Sequence, residues 1–325
     1  MRELIRSDVQ PAVLCTLVTV EGSSYRRPGA RLLLTSDHRK IGSISGGCLE
    51  EDLILRATSV AESAKPELVT YDTTSENDLV WGVGLGCHGI VRVLIEKLEG
   101  RASWAEALSA NFAAHRTTEL SVVWQSEQKK NLGTHLSENV TSLDQAAGVF
   151  RDRVPPPTRL IIFGAGDDAQ PVSKMAKALG WHVTIADPRA NLATPARFAE
   201  ADNVVVGVAR SLVDKINPPA DAVAVVMTHH YVHDLPLLSD LLKRPLSYLG
   251  LLGPKKRARQ IVGDIRRSND GAAAPSDSHL HAPVGLDLGA ENPEEVALSI
   301  IAEIKATLAG RDAQPLRLRD RPIHG

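Results

Sequence analysis

The 325-residue chain carries 37 Lys and Arg residues against 39 Asp and Glu residues, for a formal net charge of −2, and only 4% of its residues are aromatic. A near-neutral chain with so few aromatic residues lacks the broad basic surface and the stacking platforms of nucleic-acid-binding proteins, so we expect no nucleic-acid partner. No apolar run reaches the length of a membrane span and the first residues are charged, so we expect a cytoplasmic protein with no membrane span. The length suits two domains.

Apolar runs in the first hundred residues predict short strands separated by polar turns. The strands are expected at residues 12–20, 30–34, 40–43 and 90–95, with a helix at 48–63. The turn after the first strand contains Arg26 and Arg27, which can reach an anion, although a solvated loop explains two adjacent arginines equally well. Cys15 lies inside the first apolar run, so we expect it to be a small core residue.

Two glycine-cysteine segments lie in the same part of the chain. Residues 45–50 read Ser-Gly-Gly-Cys-Leu-Glu and contain Cys48, and residues 84–89 read Gly-Leu-Gly-Cys-His-Gly and contain Cys87. Glycine beside cysteine lets the backbone approach a ligand closely and leaves the thiol uncrowded. Nearby helix or turn amides favour the thiolate, which suits soft metals and sulfur transfer, so we predict one pocket shared by both cysteines. Small buried residues in tight turns are the alternative.

The segment from residue 101 to 153 is more polar and predicts one helix near 104–114 and a hairpin around 120–136. Three consecutive prolines at 155–157 form a stiff, extended connector, and the apolar run at 159–163 behind them predicts a buried strand. We therefore expect a domain boundary at the prolines.

Helical and strand-like segments alternate in the second half of the chain. Helices are expected at 170–179 and 235–243, strands at 182–186, 203–206 and 222–227, and a strand, a tight turn and the start of a basic helix at 248–259. Such alternation predicts a parallel sheet wound with helices. A closing helix is expected to start with Asn292 as its cap and Pro293 at its first position.

A nucleotide-type loop, Gly-Ala-Gly-Asp-Asp-Ala at residues 164–169, follows the buried strand and opens a helix. Its glycine amides can face a pyrophosphate, and Asp187 ends the next strand, where a ribose-binding acid belongs. Two adjacent acids would repel a pyrophosphate unless a cation intervenes. Arg189 could bind a 2′-phosphate, so the sequence does not distinguish NAD from NADP. A turn with a purely structural role is the alternative.

A histidine-rich loop follows the strand expected at residues 222–227 and therefore lies at the carboxyl edge of the sheet, where ligands collect. His229 with His233 and Asp234 offers metal ligands, but the spacing follows no established zinc pattern, and a loop that caps a helix is the simpler interpretation. The basic cluster at 255–259 fits an anion, an acidic partner or a solvated helix face.

Together these segments resemble the XdhC/CoxI family, accessory proteins for the maturation of xanthine and carbon monoxide dehydrogenases, over nearly the whole chain. The resemblance is carried, in the family's order, by VEGSSYRRPGAR at 20–31, SGGCLE at 45–50, GLGC at 84–87, IFGAG at 162–166, THHY at 228–231, YLGLLG at 248–253 and PVGLDLGA at 283–290. The chain departs from the family at Asp167, where histidine is frequent, at His88, where glycine is frequent, and at Pro254, where serine is common.

The resemblance implies an α/β fold, with an N-terminal α/β domain that carries the glycine-cysteine motifs and a C-terminal Rossmann-like parallel-sheet domain. The expected divisions are an N-terminal domain at 1–100, a variable extension and proline linker at 101–157, a Rossmann-like domain at 158–310 and a tail at 311–325. The implied function is to bind molybdenum cofactor (molybdopterin) as cargo, protect it during sulfuration and deliver it to a molybdenum hydroxylase apoenzyme, without independent turnover.

The expected cofactor-binding residues fall into two groups. Those for the molybdenum cofactor are Cys48, Cys87, Arg26, Arg27, Gly46, Gly47, Gly86 and His88, with Cys48 and Cys87 as metal ligands, and those for a nucleotide are Gly164, Gly166, Asp187 and His229. We also expect a sulfur donor of the cysteine desulfurase type as a partner, and a homodimer. The alternative function is an NAD(P)-dependent oxidoreductase in which His229 acts as acid or base on a small substrate. Hydride transfer alone does not need the two glycine-cysteine motifs.

Overall fold

The computed structural model describes residues 12–47, 49–72, 89–98, 102–140, 148–268 and 279–320. The chain forms two compact units, and the division falls between Pro156 and Pro157. Each unit has its own sheets and its own hydrophobic clusters.

The first unit is built on a five-stranded antiparallel sheet. Its strands are β1 Ala12–Gly22, β2 Arg31–Thr35, β3 Lys40–Gly42, β4 Glu67–Asp72 and β5 Gly89–Leu98, in the order β3-β2-β1-β5-β4. Alternate residues of a strand point to the same face, so Val13, Cys15 and Leu17 of β1 share one side of the sheet.

Helix α1, Glu50–Ser63, covers that side. Leu53, Ala57 and Val60 recur at helical spacing and are buried against the Cys15 face of the sheet. Cys15 has no exposed surface, which confirms the expectation of a core residue. Burial, and then the neighbouring charge of Glu96, raise the pKa of the Cys15 thiol to about 12.

The opposite face of the same sheet packs against a second layer. This layer contains helix α2 Ser103–Ala113 and a three-stranded antiparallel sheet of β6 Thr118–Gln125, β7 Gly133–Leu136 and β8 Gly148–Val154, in the order β7-β6-β8. Leu14 and Leu98 from the five-stranded sheet join one cluster with Trp104 and Leu108 of α2 and Leu120 of β6. The first unit is therefore a layered α/β structure, with α1 on one side of the five-stranded sheet and α2 and the three-stranded sheet on the other.

The second unit contains a six-stranded parallel sheet. Its strands are β9 Arg159–Phe163, β10 His182–Asp187, β11 Asn203–Val206, β12 Val223–Val226, β13 Tyr248–Leu251 and β14 Leu280–His281, in the order β11-β10-β9-β12-β13-β14. The helices are α3 Ala169–Ala178, α4 Ala209–Ile216, α5 Tyr231–Leu241, α6 Lys255–Ser268 and α7 Pro293–Leu308. This is the Rossmann strand order, whose direction reverses between β9 and β12. The predicted Rossmann-like fold is confirmed.

Both faces of this sheet are covered, which explains why its strands are continuous apolar runs. Leu160 and Ile162 lie in a cluster with residues of α3 and α7, whereas Ile161 and Phe163 lie in a cluster with residues of α4, α5 and α6. In the described part of the chain no helix combines the length and the apolar character that crossing a bilayer requires.

Several element boundaries differ from the sequence expectation. Helix α5 begins at Tyr231 rather than at residue 235, and β4, β8 and α4 were not predicted. Short, half-polar segments such as β4 carry too weak a pattern for periodicity to find. The expected cap of the closing helix is present, because Asn292 Oδ1 accepts a 2.9 Å hydrogen bond from the amide of Glu295.

Candidate functional site

The loop between β3 and α1 carries the first glycine-cysteine segment. Gly46 has a φ of +84° and Gly47 a φ of +132°, conformations that residues with a side chain rarely adopt. These two glycines let the chain turn sharply into α1. Cys48 itself lies outside the described residues.

Five hydrogen bonds converge on the carboxylate of Glu50, the first residue of α1. Oε1 accepts from Ser43 Oγ at 2.9 Å, Ile44 N at 3.0 Å and Ser45 N at 2.9 Å, and Oε2 accepts from Ser45 Oγ at 2.5 Å and Gly47 N at 2.8 Å. Burial alone would raise the pKa of Glu50, but hydrogen bonds from Ser45, Ser43 and Ile44 outweigh it and lower the pKa to about 2. We call this arrangement the Glu50 lock.

Sequence reasoning did not single out Glu50. The available signal is its spacing: a glutamate three residues after Gly47, at the start of a helix, can reach back to the Gly47 amide as the glutamate of a capping box does. Leu49, the residue at the cap position, makes no side-chain hydrogen bond, and the Glu50 carboxylate binds the loop before the helix rather than the first helical amides.

The lock uses the glycine amides that a ligand would otherwise meet. The amide of Gly46 donates to Ser43 Oγ at 3.0 Å, and that of Gly47 donates to Glu50. A Cβ placed on Gly47 would find no atom of the described residues within 4 Å. Both glycine amides are therefore already hydrogen-bonded within the protein. What the described part of the loop offers a ligand is space beside Gly47.

The turn after β1 contacts both glycine-cysteine segments. A Cβ on Gly46 would lie 3.1 Å from Cε1 of Tyr25, and a Cβ on Gly89 would lie 2.3 Å from the carbonyl oxygen of Ser23. Gly89 is the last residue of the second segment, whose Gly84, Gly86, Cys87 and His88 lie outside the described residues. Residues that flank Cys48 and Cys87 in the sequence thus meet at one turn.

Arg26 and Arg27 are exposed in that same turn. The guanidinium carbon of Arg26 lies 5.2 Å from the centre of the Tyr25 ring, within the range of a cation–π contact. The turn therefore holds two cations beside the Gly46 loop, which fits an anionic ligand. Within the described ranges, no three His, Cys, Asp or Glu side chains form a group that could hold a metal ion.

In the second unit, the nucleotide-type loop lies at the carboxyl ends of β9 and β12, where the strand order reverses. Gly164 has a φ of +133°, and a Cβ there would lie 2.4 Å from the carbonyl oxygen of Met227. Glycine is therefore required at position 164 by the close approach of the chain after β12. Gly166 differs, because a Cβ there would meet no atom of the residues that the structure describes within 4 Å.

Asp187 ends β10 and has no exposed surface. Its carboxylate accepts four hydrogen bonds, from Ala165 N at 2.7 Å and from Arg189 N, Nε and Nη2 at 2.7, 2.9 and 2.7 Å. Burial opposes ionisation, but the bonds from Arg189 and Ala165 hold the pKa of Asp187 below its ordinary value. A ribose hydroxyl would have to displace Arg189 to reach this carboxylate.

Two close contacts involve the acids of the nucleotide-type loop. Arg197 Nη2 lies 2.8 Å from Asp167 Oδ1, and His229 Nε2 lies 3.1 Å from Asp168 Oδ2. His229 has a φ of +60°, a conformation that is uncommon outside glycine. Arg197 thus supplies Asp167 with a cation from the protein itself, and the imidazole of His229 contacts Asp168. Sequence reasoning missed Arg197, because thirty residues separate it from Asp167.

The histidine-rich loop is anchored by Asp234, which is fully buried. Thr228 Oγ1 donates to Asp234 Oδ1 at 2.5 Å, and Arg257 of α6 donates to Oδ2. Both oxygens of Asp234 are thus engaged by protein donors. The rings of His230 and His233 lie 5.8 Å apart between centres. Asp234 joins the start of α5 to the start of α6, as a structural residue does.

Two family models match the chain: that of the XdhC and CoxI family over residues 5–72 and that of the XdhC Rossmann domain over residues 160–304. A probable xanthine dehydrogenase subunit of Bacillus subtilis (strain 168) is 34% identical, over 94% of this chain and 96% of its own. The molybdenum cofactor insertion chaperone PaoD of Escherichia coli (strain K12) is 24% identical, over 90% of this chain and 82% of its own. A crystal structure described as a xanthine dehydrogenase from Bacillus halodurans matches with a TM-score of 0.80 and 31% identity, over 97% of both chains. The chain belongs to the XdhC and CoxI family.

Proposed function

We propose that this protein is an accessory chaperone that binds molybdenum cofactor, protects it during sulfuration and delivers it to a xanthine dehydrogenase-type molybdenum hydroxylase. The observation that carries this proposal is likeness along nearly the whole chain to a relative named a molybdenum cofactor insertion chaperone and to one named a probable xanthine dehydrogenase subunit. Each alignment covers at least 90% of this chain.

The geometry of the first unit supports the same proposal. The exposed Arg26 and Arg27 fit the anionic groups of the cofactor, and among the described residues no atom crowds the Cβ position of Gly47. In this proposal Cys48 and Cys87 supply soft sulfur ligands from the two segments that flank the turn. The protein binds and shields, and the cofactor performs its redox chemistry only in the client enzyme.

Delivery requires partners. The start of α6 exposes Lys255, Lys256 and Arg259, a basic surface that fits an acidic face on the apoenzyme. We propose a cysteine desulfurase-type protein as the sulfur donor and a homodimer as the assembly. Pull-down with each partner and light scattering of the purified protein test these two parts.

Binding of NAD(P) at the second unit fits the structure less well. The buried carboxylate of Asp187, which would bind a ribose hydroxyl, already accepts four hydrogen bonds from the protein. Hydride transfer with His229 as acid or base would also leave the turn that joins the two glycine-cysteine segments without a role. We therefore propose no turnover of a nicotinamide cofactor.

The test of the proposed function is made in the client. In a strain that lacks this protein, the molybdenum hydroxylase should contain little molybdenum but a normal amount of polypeptide and iron. The purified protein from a molybdenum-replete host should carry molybdenum and pterin in equal amounts. A fully metallated, active client in the deletion strain would contradict the proposal, and so would NAD(P)-linked oxidation of a small substrate by the purified protein alone.

A further inference from the structure

Tyr25 keeps its aromatic ring at the surface of the first unit. Its side chain is 59% exposed, and of the Phe, Trp and Tyr residues that the structure describes it is the only exposed one. Tyr71 of β4 shows the ordinary arrangement, because it packs against the core and donates its hydroxyl to Asp52 at 2.6 Å. A ring left at the surface forgoes most of the stabilisation that burial gives an aromatic side chain. A role in binding therefore explains the place of Tyr25 better than a role in the core.

The turn that carries Tyr25 is fixed to three strands. The amide of Gly29 donates to the carbonyl oxygen of Leu17 in β1 at 2.8 Å. The start of β5 approaches the carbonyl oxygen of Ser23 so closely that only glycine fits there. Arg31, just after the turn, donates from Nη1 to Asp152 Oδ2 of β8 at 2.6 Å. The backbone beneath the exposed tyrosine and arginines is thus ordered before a ligand binds, which lowers the entropic cost of binding.

The Tyr25 ring lies beside the Gly46 loop and beside a cation. A Cβ on Gly46 would lie 3.1 Å from Cε1 and 3.4 Å from Cδ1 of the ring, so the ring approaches this loop more closely than a larger residue would allow. The guanidinium carbon of Arg26 lies 5.2 Å from the ring centre, and Arg27 is exposed next to it in the sequence. The turn therefore presents an aromatic ring and two cations together, which fits a ligand that has both a flat heterocycle and an anionic group.

Molybdenum cofactor has both of these parts, a pterin and a phosphate. Arginines alone would bind many anions, whereas the flat pyrimidine ring of a pterin can stack on an aromatic side chain as a nucleobase does. We propose that Tyr25 is the stacking platform for the pterin of the cofactor, with Arg26 and Arg27 beside it for the phosphate. This inference rests on the proposed function for the identity of the ligand, and it adds the residue that selects a pterin among anions.

The first test compares three substitutions of Tyr25 in the full-length protein. Tyr25→Phe keeps the ring, Tyr25→Leu keeps an apolar side chain beside Gly46, and Tyr25→Ala removes both. The dissociation constant for released molybdenum cofactor should stay within about twofold of the wild type in Tyr25→Phe and rise at least about tenfold in the other two. Leu55→Ala is the matched control, because it removes another apolar side chain of the first unit that is 71% exposed, and it should leave the constant unchanged.

The second test detects stacking itself. Hydroxymethylpterin has the ring system of the cofactor but no phosphate, dithiolene or molybdenum. A pterin proton that lies over an aromatic ring is shifted upfield in a proton NMR spectrum. The ring proton of this probe should shift upfield with the wild type and with Tyr25→Phe, but not with Tyr25→Leu. CMP is titrated in parallel, and an upfield shift of CMP without one of the pterin would assign the platform to a nucleobase and overturn the inference.

The leucine variant separates stacking from packing. Wild-type affinity in folded Tyr25→Leu would show that Tyr25 only fills the space beside Gly46, and it would overturn the inference. Wild-type affinity in Tyr25→Ala would do the same. Thermal denaturation checks that each variant is folded, and if Tyr25→Ala is not, the comparison of Tyr25→Leu with Tyr25→Phe decides.

The two proposals fail in different ways. If the wild-type protein binds no released cofactor, the proposed function fails, while the titration with hydroxymethylpterin still decides whether Tyr25 stacks on a pterin. If the wild type and all three Tyr25 variants bind the cofactor with equal affinity, the stacking role is wrong and the proposed function stands.

Discussion

Arg189 closes over the carboxylate of Asp187, to which its side chain donates hydrogen bonds of 2.9 and 2.7 Å. Asp187 is wholly buried, whereas the Arg189 side chain keeps 26% of its surface exposed. The same guanidinium reaches the carbonyl oxygen of Thr228 at 3.3 Å, so it joins the ends of β10 and β12. Arg189 and Asp187 lie at the edge of the sheet where a Rossmann ligand would bind, but their contacts stabilise the fold.

Arg189→Ala should destabilise the second unit by about 3 kcal/mol, because it leaves a buried charge without its partner. Urea denaturation measures the change. Arg244→Ala is the matched control, since Arg244 pairs at 2.6 Å with Asp214, whose side chain is 74% exposed. That exposed pair should contribute less than about 1 kcal/mol. Equal losses in the two variants would show that the Arg189 pair has no special role.

The Glu50 lock should make the stability of the first unit depend on pH. The pKa of Glu50 is lowered in the folded protein from its ordinary value of 4.5 to about 2. The stabilisation is therefore fully present above pH 4.5 and is lost as the pH falls from 4.5 toward 2. The difference in free energy of unfolding between the wild type and Glu50→Gln should shrink over that interval. A difference that stays constant would show that folding does not lower the pKa of Glu50.

Cys48→Ser and Cys87→Ser should each weaken molybdenum-cofactor binding by at least about tenfold, or about 1.4 kcal/mol, since each removes one soft ligand. Titration with released cofactor measures the affinity. Cys15→Ala is the control, because Cys15 is buried in the core beneath α1 and should leave the affinity unchanged. Wild-type affinity in both serine variants would reduce these cysteines to packing residues.

Gly164 and Gly166 should respond differently to substitution. Gly166→Val should leave the free energy of unfolding within about 0.5 kcal/mol of the wild type, because its Cβ position is open. Gly164→Ala should cost about 1–3 kcal/mol, since its Cβ would lie 2.4 Å from the Met227 carbonyl oxygen.

The same Gly166→Val variant tests for a nucleotide, because a branched side chain there would block a close pyrophosphate. Thermal shift with NAD, NADP and CTP should detect any ligand that binds the wild type but not the variant. If none of the three shifts the wild type, the second unit is a scaffold or a docking surface.

The local sequence pattern was sufficient to predict many of the strands and helices of the second unit. The strands Arg159–Phe163 and Asn203–Val206 have the bounds expected from their apolar runs. The predicted start of α5 is four residues late, and Asp234, in the first turn of α5, binds Thr228 and Arg257 of α6. A contact between helices that are distant in sequence leaves no periodic signal in either one.

In the candidate site, too, the sequence revealed the residues of local motifs but not the contacts between separate segments. Glycines, arginines and cysteines mark the loops of the first unit, and the residues that can be located among them meet at the turn of Ser23 and Tyr25. The Glu50 lock was missed because it depends on loop amides and hydroxyls whose directions only the folded backbone defines. Arg197 was missed for a related reason, since its partner Asp167 belongs to another element.

Because Cys15 is buried, its reaction with a thiol reagent can report unfolding of the first unit. Only a thiolate reacts quickly with thiol reagents, and a fully buried thiol with a pKa of about 12 supplies almost none at neutral pH. Any sulfhydryl counted in the native protein therefore belongs to Cys48 or Cys87. The appearance of a third reactive sulfhydryl reports that the core beneath α1 has opened, without a dye, a label or an added substitution.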